Sequence, residues 1–396
     1  MVSCAIQVVD HYLGMNSGFL RSWQRWLIGF LFGCTSPLAL SASAEAPALT
    51  GNYHQTQIAG YLDYPWAAVE NPLGGWLISE RSGVIIEYDH AGQRQEIPLQ
   101  FEQLYVAGQG GLLDIKLARD FTESRRVYLS YASGTAAENY LTFGTTVLDT
   151  KTPVVKDIFK VSTPKDTPVH YGGRLLQLPD DTWLMTSGDG FDYREQAQRK
   201  DSFLGKVLRF TTEGKSVADN PYAGGDSEAE QYIYTLGHRN PQGLVKGPQG
   251  QVFLHEHGPD GGDEVNLLQK GANYGWPVVT LGKDYSGARI SPFSTYPGMT
   301  DPIVDWTPSI APSSMIYYSH DQYPMLTDTL LVTSLKAKAL YAVNKTSSKY
   351  VSTKVFDELE MRLRDIAVDH QGNLILLTDG ENAKVVKVSP KQKIAQ

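Results

Sequence analysis

One short phrase recurs along the chain and restricts the folds that it can adopt. It consists of a turn of Gly or Asp, a short apolar run, and then Ser, Thr or Gly. The phrase begins near residues 74, 126, 180, 250, 327 and 371. Apolar runs bounded by turn residues are typical of strands, and helical periodicity is scarce after residue 45.

The spacing of this phrase indicates the architecture. Uneven intervals of about 45 to 80 residues suit propeller blades with insertions better than a tight solenoid. A β-sandwich would explain the strands but not their recurrence. Each blade would be a four-stranded antiparallel sheet around a central channel. We therefore predict an all-β chain folded as a six-bladed β-propeller.

Residues 1–44 have the character of a secretory signal peptide. Arg21 and Arg25 precede an apolar run that ends at Ala42-Ser43-Ala44, which predicts cleavage after Ala44. Residues 1–14 lack this character, so Met15 is an alternative start. We expect residues 45–396 to form one six-bladed propeller domain, because no linker or low-complexity segment divides them.

The same leader has alternative interpretations. A membrane anchor is disfavoured by Pro37 and by the shortness of the apolar run. Lipid attachment at Cys34, on an outer-membrane protein, is a minor alternative because Phe32 is bulky for such a site. We predict a soluble periplasmic protein. Since Cys4 and Cys34 both lie in the leader, the mature chain would contain neither disulfides nor thiolate metal sites.

The charge of the chain restricts its partners. A net charge of −8 and a pI of about 5.6 make nucleic-acid binding unexpected. Any bound anion would therefore need a local cluster of basic side chains.

The stretch from residue 237 to 274 combines acids, histidines, glycines and prolines in a way that suits a hard cation. Carbonyl oxygens of Gly258 and Pro259 are suitable calcium ligands, and Glu264 with the backbone around Tyr274 could complete a second oxygen site. No EF-hand spacing is present. The alternative is a glycine-rich hairpin with solvated acids.

Two further residues are candidates for chemistry near glycine turns. His170 precedes Gly172 and Gly173 and could act as a general base, or it could be a strand-end histidine bonded to a loop. Gln109 lies between glycines that let a ligand approach the backbone, although a polar turn residue is the simpler interpretation.

Basic residues form the remaining candidates. Arg239 and Asn240, beside Pro241, could donate to an oxygen-rich ligand or bond within their loop. Arg362 and Arg364 would share one strand face and repel unless an anion or carboxylates lay between them. A solvated basic edge is the alternative.

Nine phrases of this chain resemble the soluble-type sugar dehydrogenases that use pyrroloquinoline quinone (PQQ), the glucose/sorbosone dehydrogenase family, and especially periplasmic aldose sugar dehydrogenases. They occur in the family's order, most clearly from Gln109 to Asp379: GQGGLLDI, HYGGRL, LGKVLRF, GHRNPQG, EHGPDGGDEVNLL, NYGWPVV, WTPSIAPSSM, TSLKAKAL and RLRDIAV. The resemblance implies oxidation of aldoses at C1 to lactones, with hydride passing to PQQ and electrons to an external acceptor.

The resemblance also implies roles for individual residues. His170 would be the base that takes the proton of the anomeric hydroxyl, and Arg239 would stabilise negative charge on a quinone oxygen. Residues implied to contact PQQ are Gln109, Arg239, Asn240, Tyr285, Lys336, Arg362 and Arg364. Gly258 and Pro259 would bind the calcium ion beside PQQ, and Glu264 and Tyr274 a structural calcium.

The chain departs from the family pattern at two positions, and two other functions are alternatives. Val169 stands where soluble glucose dehydrogenases carry an acid before the base, and Ile303 replaces an aromatic of their sugar site. Both changes favour the broader-specificity aldose branch. The alternatives are a non-redox calcium-binding propeller and a calcium-dependent sugar lactonase.

Overall fold

Residues 51–391, which the computed structural model describes, form six four-stranded antiparallel sheets. The first strands of neighbouring blades contact one another around a central axis. The prediction of an all-β, six-bladed β-propeller is confirmed. The predicted signal peptide, with Met15, Cys4 and Cys34, lies outside the described residues. Within those residues, no helix combines the length and apolar composition that a membrane crossing requires.

Five blades use four consecutive strands each, counted outward from the axis. They comprise β2 (Pro65–Glu70), β3 (Trp76–Glu80), β4 (Val84–Tyr88) and β5 (Arg94–Pro98); β6 (Leu112–Leu117), β7 (Arg126–Gly134), β8 (Asn139–Val147) and β9 (Lys156–Lys160); β10 (Gly172–Gln177), β11 (Trp183–Ser187), β12 (Lys206–Phe210) and β13 (Ile233–Leu236); β14 (Asn240–Lys246), β15 (Val252–His257), β16 (Asp263–Leu267) and β17 (Val304–Trp306); and β18 (Pro312–Tyr318), β19 (Thr329–Ser334), β20 (Leu340–Lys345) and β21 (Tyr350–Val355).

The sixth blade joins the two ends of the described chain. It contains β22 (Leu363–Val368), β23 (Leu374–Thr378) and β24 (Ala383–Pro390), and β1 (Tyr53–Leu62) is its outer strand. The one α-helical turn in the described chain, α1 (Phe121–Ser124), precedes β7. Short 3₁₀ turns span Arg194–Gln198, Ala229–Gln231, Pro248–Gly250, Pro324–Leu326 and Asp357–Leu359.

The recurring phrase marks the second strand of every blade. These six strands are β3, β7, β11, β15, β19 and β23. All residues of β3, β11 and β23 are buried, because these strands are packed against neighbouring blades on both faces. Fully buried strands read as continuous apolar runs, which is why the repeat is visible in the sequence.

Each innermost strand carries a register shift near its start. The shifts interrupt the pairing of β2, β6, β10, β14, β18 and β22 with the second strands of their blades. Such bulges redirect side chains and are frequent beside functional sites. Trp66, Gln242 and Arg364 lie within the shifts and line the central cavity described below.

The axis below that cavity is occupied by the side chain of Arg174, which contacts all five other blades. Its guanidinium lies near Asp114 (3.5 Å) and Asp365 (3.3 Å), and donates to the carbonyl oxygens of Gln242 (3.0 Å) and Ser313 (3.1 Å). It also lies 4.1 Å from the centroid of the Trp66 ring. One buried cation therefore links every inner strand of the propeller.

Candidate functional site

The starts of the inner strands surround a cavity of about 370 Å³. Four of the predicted site residues line it, and so do several that were not predicted. The predicted ones are Gln109, Asn240, Arg362 and Arg364; the others include Tyr64, Trp66, Arg81, Tyr171, His257 and Asp379. The wall is thus part aromatic and part charged.

His170 lies two residues before β10, and its side chain is buried. Its backbone adopts the left-handed conformation (φ 51°), and its N–H donates to Gln109 Oε1 at 2.8 Å. Burial lowers the pKa of His170 below its ordinary value, and this outweighs the opposing effect of Asp189. The imidazole is therefore neutral near pH 7, as a proton acceptor must be.

Asp189, which sequence reasoning missed, orients this imidazole. Its Oδ1 lies 2.7 Å from His170 Nδ1 and accepts the N–H of Phe191 at 2.8 Å, while Oδ2 accepts the indole N–H of Trp276 at 2.7 Å. A carboxylate that serves three donors is an acceptor only, so Nδ1 carries the proton of His170. Nε2 is left with its lone pair, which is the arrangement of a histidine base held by an acid.

Arg239 and Tyr285 lie on a second, smaller cavity of about 220 Å³, which Pro259 also lines. The Arg239 guanidinium donates to the carbonyl of Gly258 at 2.6 Å, lies 3.4 Å from the Tyr285 hydroxyl, and faces the Trp276 ring at 5.3 Å. Its side chain is consequently held between the hairpin of Gly258, the predicted calcium loop, and the exposed Tyr285.

Asn240, the neighbour of Arg239 on β14, faces the central cavity instead. Its Oδ1 accepts the N–H of Gly172 and an N–H of Gln242, each at 3.2 Å. Arg239 thus lines the smaller cavity, whereas the adjacent Asn240 lines the central one.

The hairpin between β15 and β16 carries Gly258 and Pro259 and is held by Asp263. One carboxylate oxygen of Asp263 accepts the Gly258 N–H (2.9 Å), and the other accepts the N–H groups of Ile310 and Ala311 (2.8 Å each). Asp263 is therefore a structural acid that fixes the predicted calcium loop against the next blade.

Glu264 and Tyr274 lie apart from the two cavities, within and beside the blade of β14–β17. Burial and the neighbouring Glu256 raise the pKa of Glu264 well above its ordinary value. Asn266 donates to both carboxylates (3.2 and 3.3 Å), while its own Oδ1 is buried without a partner in the described structure. The Tyr274 ring stacks on His238 at 5.0 Å.

Arg362 and Arg364 share one carboxylate, that of Asp379. The Nε of Arg362 donates to it at 2.6 Å and the Nε of Arg364 at 2.8 Å. Burial opposes ionisation of Asp379, but the two guanidiniums hold its pKa below its ordinary value. The sequence left two alternatives for this pair, an anionic group between the arginines or a solvated basic edge. A carboxylate does lie between them, but it balances only one of their two positive charges. Lys336 is exposed beside Leu335, which lines the central cavity, but does not itself line it.

Arg81, also missed by sequence reasoning, supports the turn that carries Gln109. Its guanidinium donates to the carbonyls on either side, those of Gly108 (2.5 Å) and Gly110 (2.8 Å). Burial, aided by the charge of Arg364, lowers the pKa of Arg81. Arg81 therefore adds a third cation to the cavity wall. Among residues 51–391, no three side chains of His, Cys, Asp or Glu are arranged to hold a metal ion.

Comparison with known proteins places these residues in a family. The family model described as Glucose / Sorbosone dehydrogenase matches residues 62–387. The aldose sugar dehydrogenase of Escherichia coli (strain K12) is 34% identical over 368 residues, which cover 89% of this chain and 97% of that protein.

Solved structures show the same relationship. The crystal structure of the soluble aldose sugar dehydrogenase from Escherichia coli, in its apo form, matches with a TM-score of 0.79 and 32% identity over 86% of this chain and 100% of that one. The PQQ-bound aldose sugar dehydrogenase from Streptomyces coelicolor matches with a TM-score of 0.69 and 26% identity over 85% and 98% of the two chains. The resemblance found in the sequence is confirmed.

Proposed function

Because the chain belongs to the glucose/sorbosone dehydrogenase family and is therefore an enzyme, we propose that it oxidises aldose sugars at C1 to lactones with PQQ and calcium. The electrons would pass to an external acceptor. Named relatives act on aldose sugars, and one matching structure contains PQQ. The observation that carries the proposal concerns His170. Its imidazole is neutral and oriented by Asp189, and its backbone N–H donates to Gln109, which lines the cationic cavity.

His170 performs the proton transfer in this proposal. Its Nε2 accepts the proton of the anomeric hydroxyl as C1 loses hydride, and the C1–O bond becomes the carbonyl of the lactone. Asp189 keeps Nδ1 protonated and stabilises the imidazolium that forms. Arg239 supplies a fixed positive charge where negative charge develops on an oxygen.

The central cavity suits a planar polyanion such as PQQ. Arg362 and Arg364 outnumber the carboxylate they share, so a further anionic group would complete their pairing. Arg81 and Gln109 extend the polar wall, and Trp66 adds an aromatic surface. When bound, PQQ supplies the two-electron acceptor that the protein side chains lack. Lys336, Asn240 and Tyr285 are retained as proposed contacts.

Two groups of oxygens suit calcium. The first comprises the carbonyls of Gly258 and Pro259, on the hairpin that Asp263 fixes. The Gly258 carbonyl also accepts from Arg239, and its second lone pair would bind the ion. The second lies at Glu264, a carboxylate with a raised pKa that accepts from Nδ2 of Asn266, while the Oδ1 of the same amide has no partner in the described structure. The backbone near Tyr274 would add to this group. A hard cation would stabilise the ionised form of Glu264.

The proposal is tested by reconstitution. Protein freed of cofactor and metal is titrated with PQQ, with and without calcium, and absorbance is followed before aldoses and an electron-accepting dye are added. We expect spectral changes on binding and dye reduction only when both additions are present. Bound quinone that no common aldose reduces would overturn the enzymatic assignment. Absence of PQQ binding would favour the non-redox propeller, and lactone hydrolysis without PQQ would favour the lactonase.

Replacement of His170 separates catalysis from binding. His170→Ala should lower the turnover number by about 10²–10⁴-fold, the usual contribution of a general base, while PQQ still binds. If instead the variant fails to bind PQQ, His170 is a cofactor contact rather than the base.

The location is a separate part of the proposal. We infer export to the periplasm from the predicted leader, which ends at Ala44. Cell fractionation and N-terminal sequencing test this, with a mature chain starting at Glu45 expected. A lipid-modified chain starting at Cys34 would support the outer-membrane alternative.

A further inference from the structure

A buried lysine lies beside the turn that carries His170. Lys165 belongs to the segment between β9 and β10, and only 3% of its surface is exposed. Its ammonium group donates to Asn139 Oδ1 (2.9 Å) and to the carbonyls of Thr167 (2.5 Å) and Val169 (3.0 Å). All three N–H donors of the ammonium group therefore have acceptors.

These contacts involve the residues immediately before and after His170. The Val169 carbonyl immediately precedes it, and the ring of Tyr171, which follows it, lies 3.4 Å from the Lys165 ammonium. His170 itself has a positive φ of 51°, a conformation that residues with a side chain rarely adopt. Such a conformation persists only where surrounding contacts hold it.

Lys165 is itself anchored to a neighbouring strand. Its backbone N–H donates to the Asn139 carbonyl (3.2 Å) and its carbonyl accepts the Asn139 N–H (2.8 Å), at the first residue of β8. The ammonium group thus ties the residues on both sides of His170 to a neighbouring blade.

We propose that Lys165 is a positioning residue, which fixes the left-handed turn at His170 and thereby aims the imidazole into the site. The residue acts through the backbone of its neighbours and does not touch substrate or cofactor. The role of His170 as base rests on the proposed function, but the geometry of the turn does not.

The charge of Lys165 has a second effect on the same imidazole. Asp189 raises the pKa of His170, whereas Lys165 and Arg239 lower it, and His257 is the other titratable neighbour. Burial lowers the pKa of Lys165 to about 7, against the effects of Asp189 and Asp166. Lys165 is therefore charged over the lower pH range in which His170 titrates.

Two substitutions distinguish the hydrogen bonds of Lys165, which hold the turn, from its positive charge. Lys165→Met removes both the donors and the charge. Asn139→Asp keeps an acceptor for Lys165 and adds a negative charge, and the Asn139 Nδ2 that it removes is buried without a partner in the described chain. Lys206→Met is the matched control, because Lys206 is also buried and donates to three carbonyls, none of them within the segment from Lys165 to His170.

The experiment uses protein without cofactor or sugar, so its outcome is independent of the proposed activity. NMR measures the pKa of the His170 imidazole and the hydrogen exchange of its backbone N–H, which donates to Gln109. We expect Lys165→Met to accelerate exchange by about tenfold or more and to raise the pKa, since local opening governs exchange. Asn139→Asp should raise the pKa with unchanged exchange, and Lys206→Met should change neither.

Other results would overturn the proposal. Unchanged exchange at His170 in Lys165→Met, or equal acceleration in Lys206→Met, would reduce Lys165 to an ordinary buried cation. If Lys165→Met does not fold, Lys165→Arg and Asn139→Asp decide: exchange in Lys165→Arg must stay close to that of the parent protein, and the pKa in Asn139→Asp must rise. In the active enzyme, the acidic limb of kcat/KM should move with the NMR pKa.

Discussion

One arginine and one pair of arginines near the propeller axis differ in how completely the protein balances their charge. Arg174 is buried and lies near two carboxylates, Asp114 and Asp365, with carbonyl acceptors completing its contacts. Arg362 and Arg364 share a single carboxylate, Asp379, and line an open cavity. The charge of Arg174 is balanced without a ligand, whereas Arg362 and Arg364 together have a surplus of positive charge.

This difference separates charges that hold the fold from charges that are available for binding. A buried ion must be paired by the protein itself, because its desolvation is costly. A cation at a cavity wall can remain partly hydrated until an anion arrives. The propeller thus places its structural arginine below the site and its binding arginines at the cavity wall.

The sharpest test of this comparison is Arg174→Met. The variant leaves Asp365 near the axis without an ion-pair partner in the described chain, and leaves Asp114 with only the partly exposed Lys116. We therefore expect a loss of about 3–5 kcal/mol in the free energy of unfolding. Denaturant unfolding measures it. A further Asp365→Asn substitution should recover part of the loss, since it removes one unpaired charge. A loss below about 1 kcal/mol would place Arg174 with ordinary surface cations.

The second prediction concerns Glu264, a buried acid that has no cationic partner in the described part of the chain. Calcium should raise the free energy of unfolding by about 2.7 kcal/mol when its concentration is a hundred times its Kd. The folded pKa of Glu264 lies above its unfolded value, so its favourable contribution is complete at low pH. In chelator-treated protein that contribution is lost as pH rises through the folded pKa.

Glu264→Gln is the control for this prediction. It should remove this part of the pH dependence and weaken the thermal response to calcium, both of which calorimetry measures. A variant that responds to calcium as the parent protein does would exclude Glu264 as a ligand.

The third prediction probes the arginines that have surplus charge. Arg364→Met should weaken PQQ binding by about 1.5–3 kcal/mol, the usual value of a hydrogen bond to a charged group. Equilibrium titration measures the loss, and the affinity of the variant should depend less on salt. Equal affinity would show that Asp379 already satisfies Arg364.

The same comparison shows which contacts a sequence can predict. The blades were predictable because their second strands are buried on both faces. Asp189 and Asp379 were missed, yet each lies across a hairpin from its partner: Gly172 pairs with Ser187, and Leu363 with Thr378. Assigning the register of those hairpins would have brought His170 near Asp189 and Arg362 near Asp379.

Contacts across the axis lay beyond that reasoning. Arg174 meets Asp365 over 191 positions of sequence. The pair becomes adjacent only when the sixth blade closes the propeller, which no local pattern records. A motif names a residue but not its distant partners.

The smallest expected effect is that of Arg362→Met on stability. Half of the Arg362 side chain is exposed, so water screens its 2.6 Å pair with Asp379. We expect a change of about 0–1 kcal/mol in the free energy of unfolding, as for other exposed ion pairs. Denaturant unfolding beside Arg174→Met measures it under identical conditions. A loss as large as that of Arg174→Met would mean that the cavity arginines hold the sixth blade closed, and the division between folding and binding charges would fail. A small loss, together with weaker PQQ binding, would place Arg362 on the binding side because its removal leaves the fold intact.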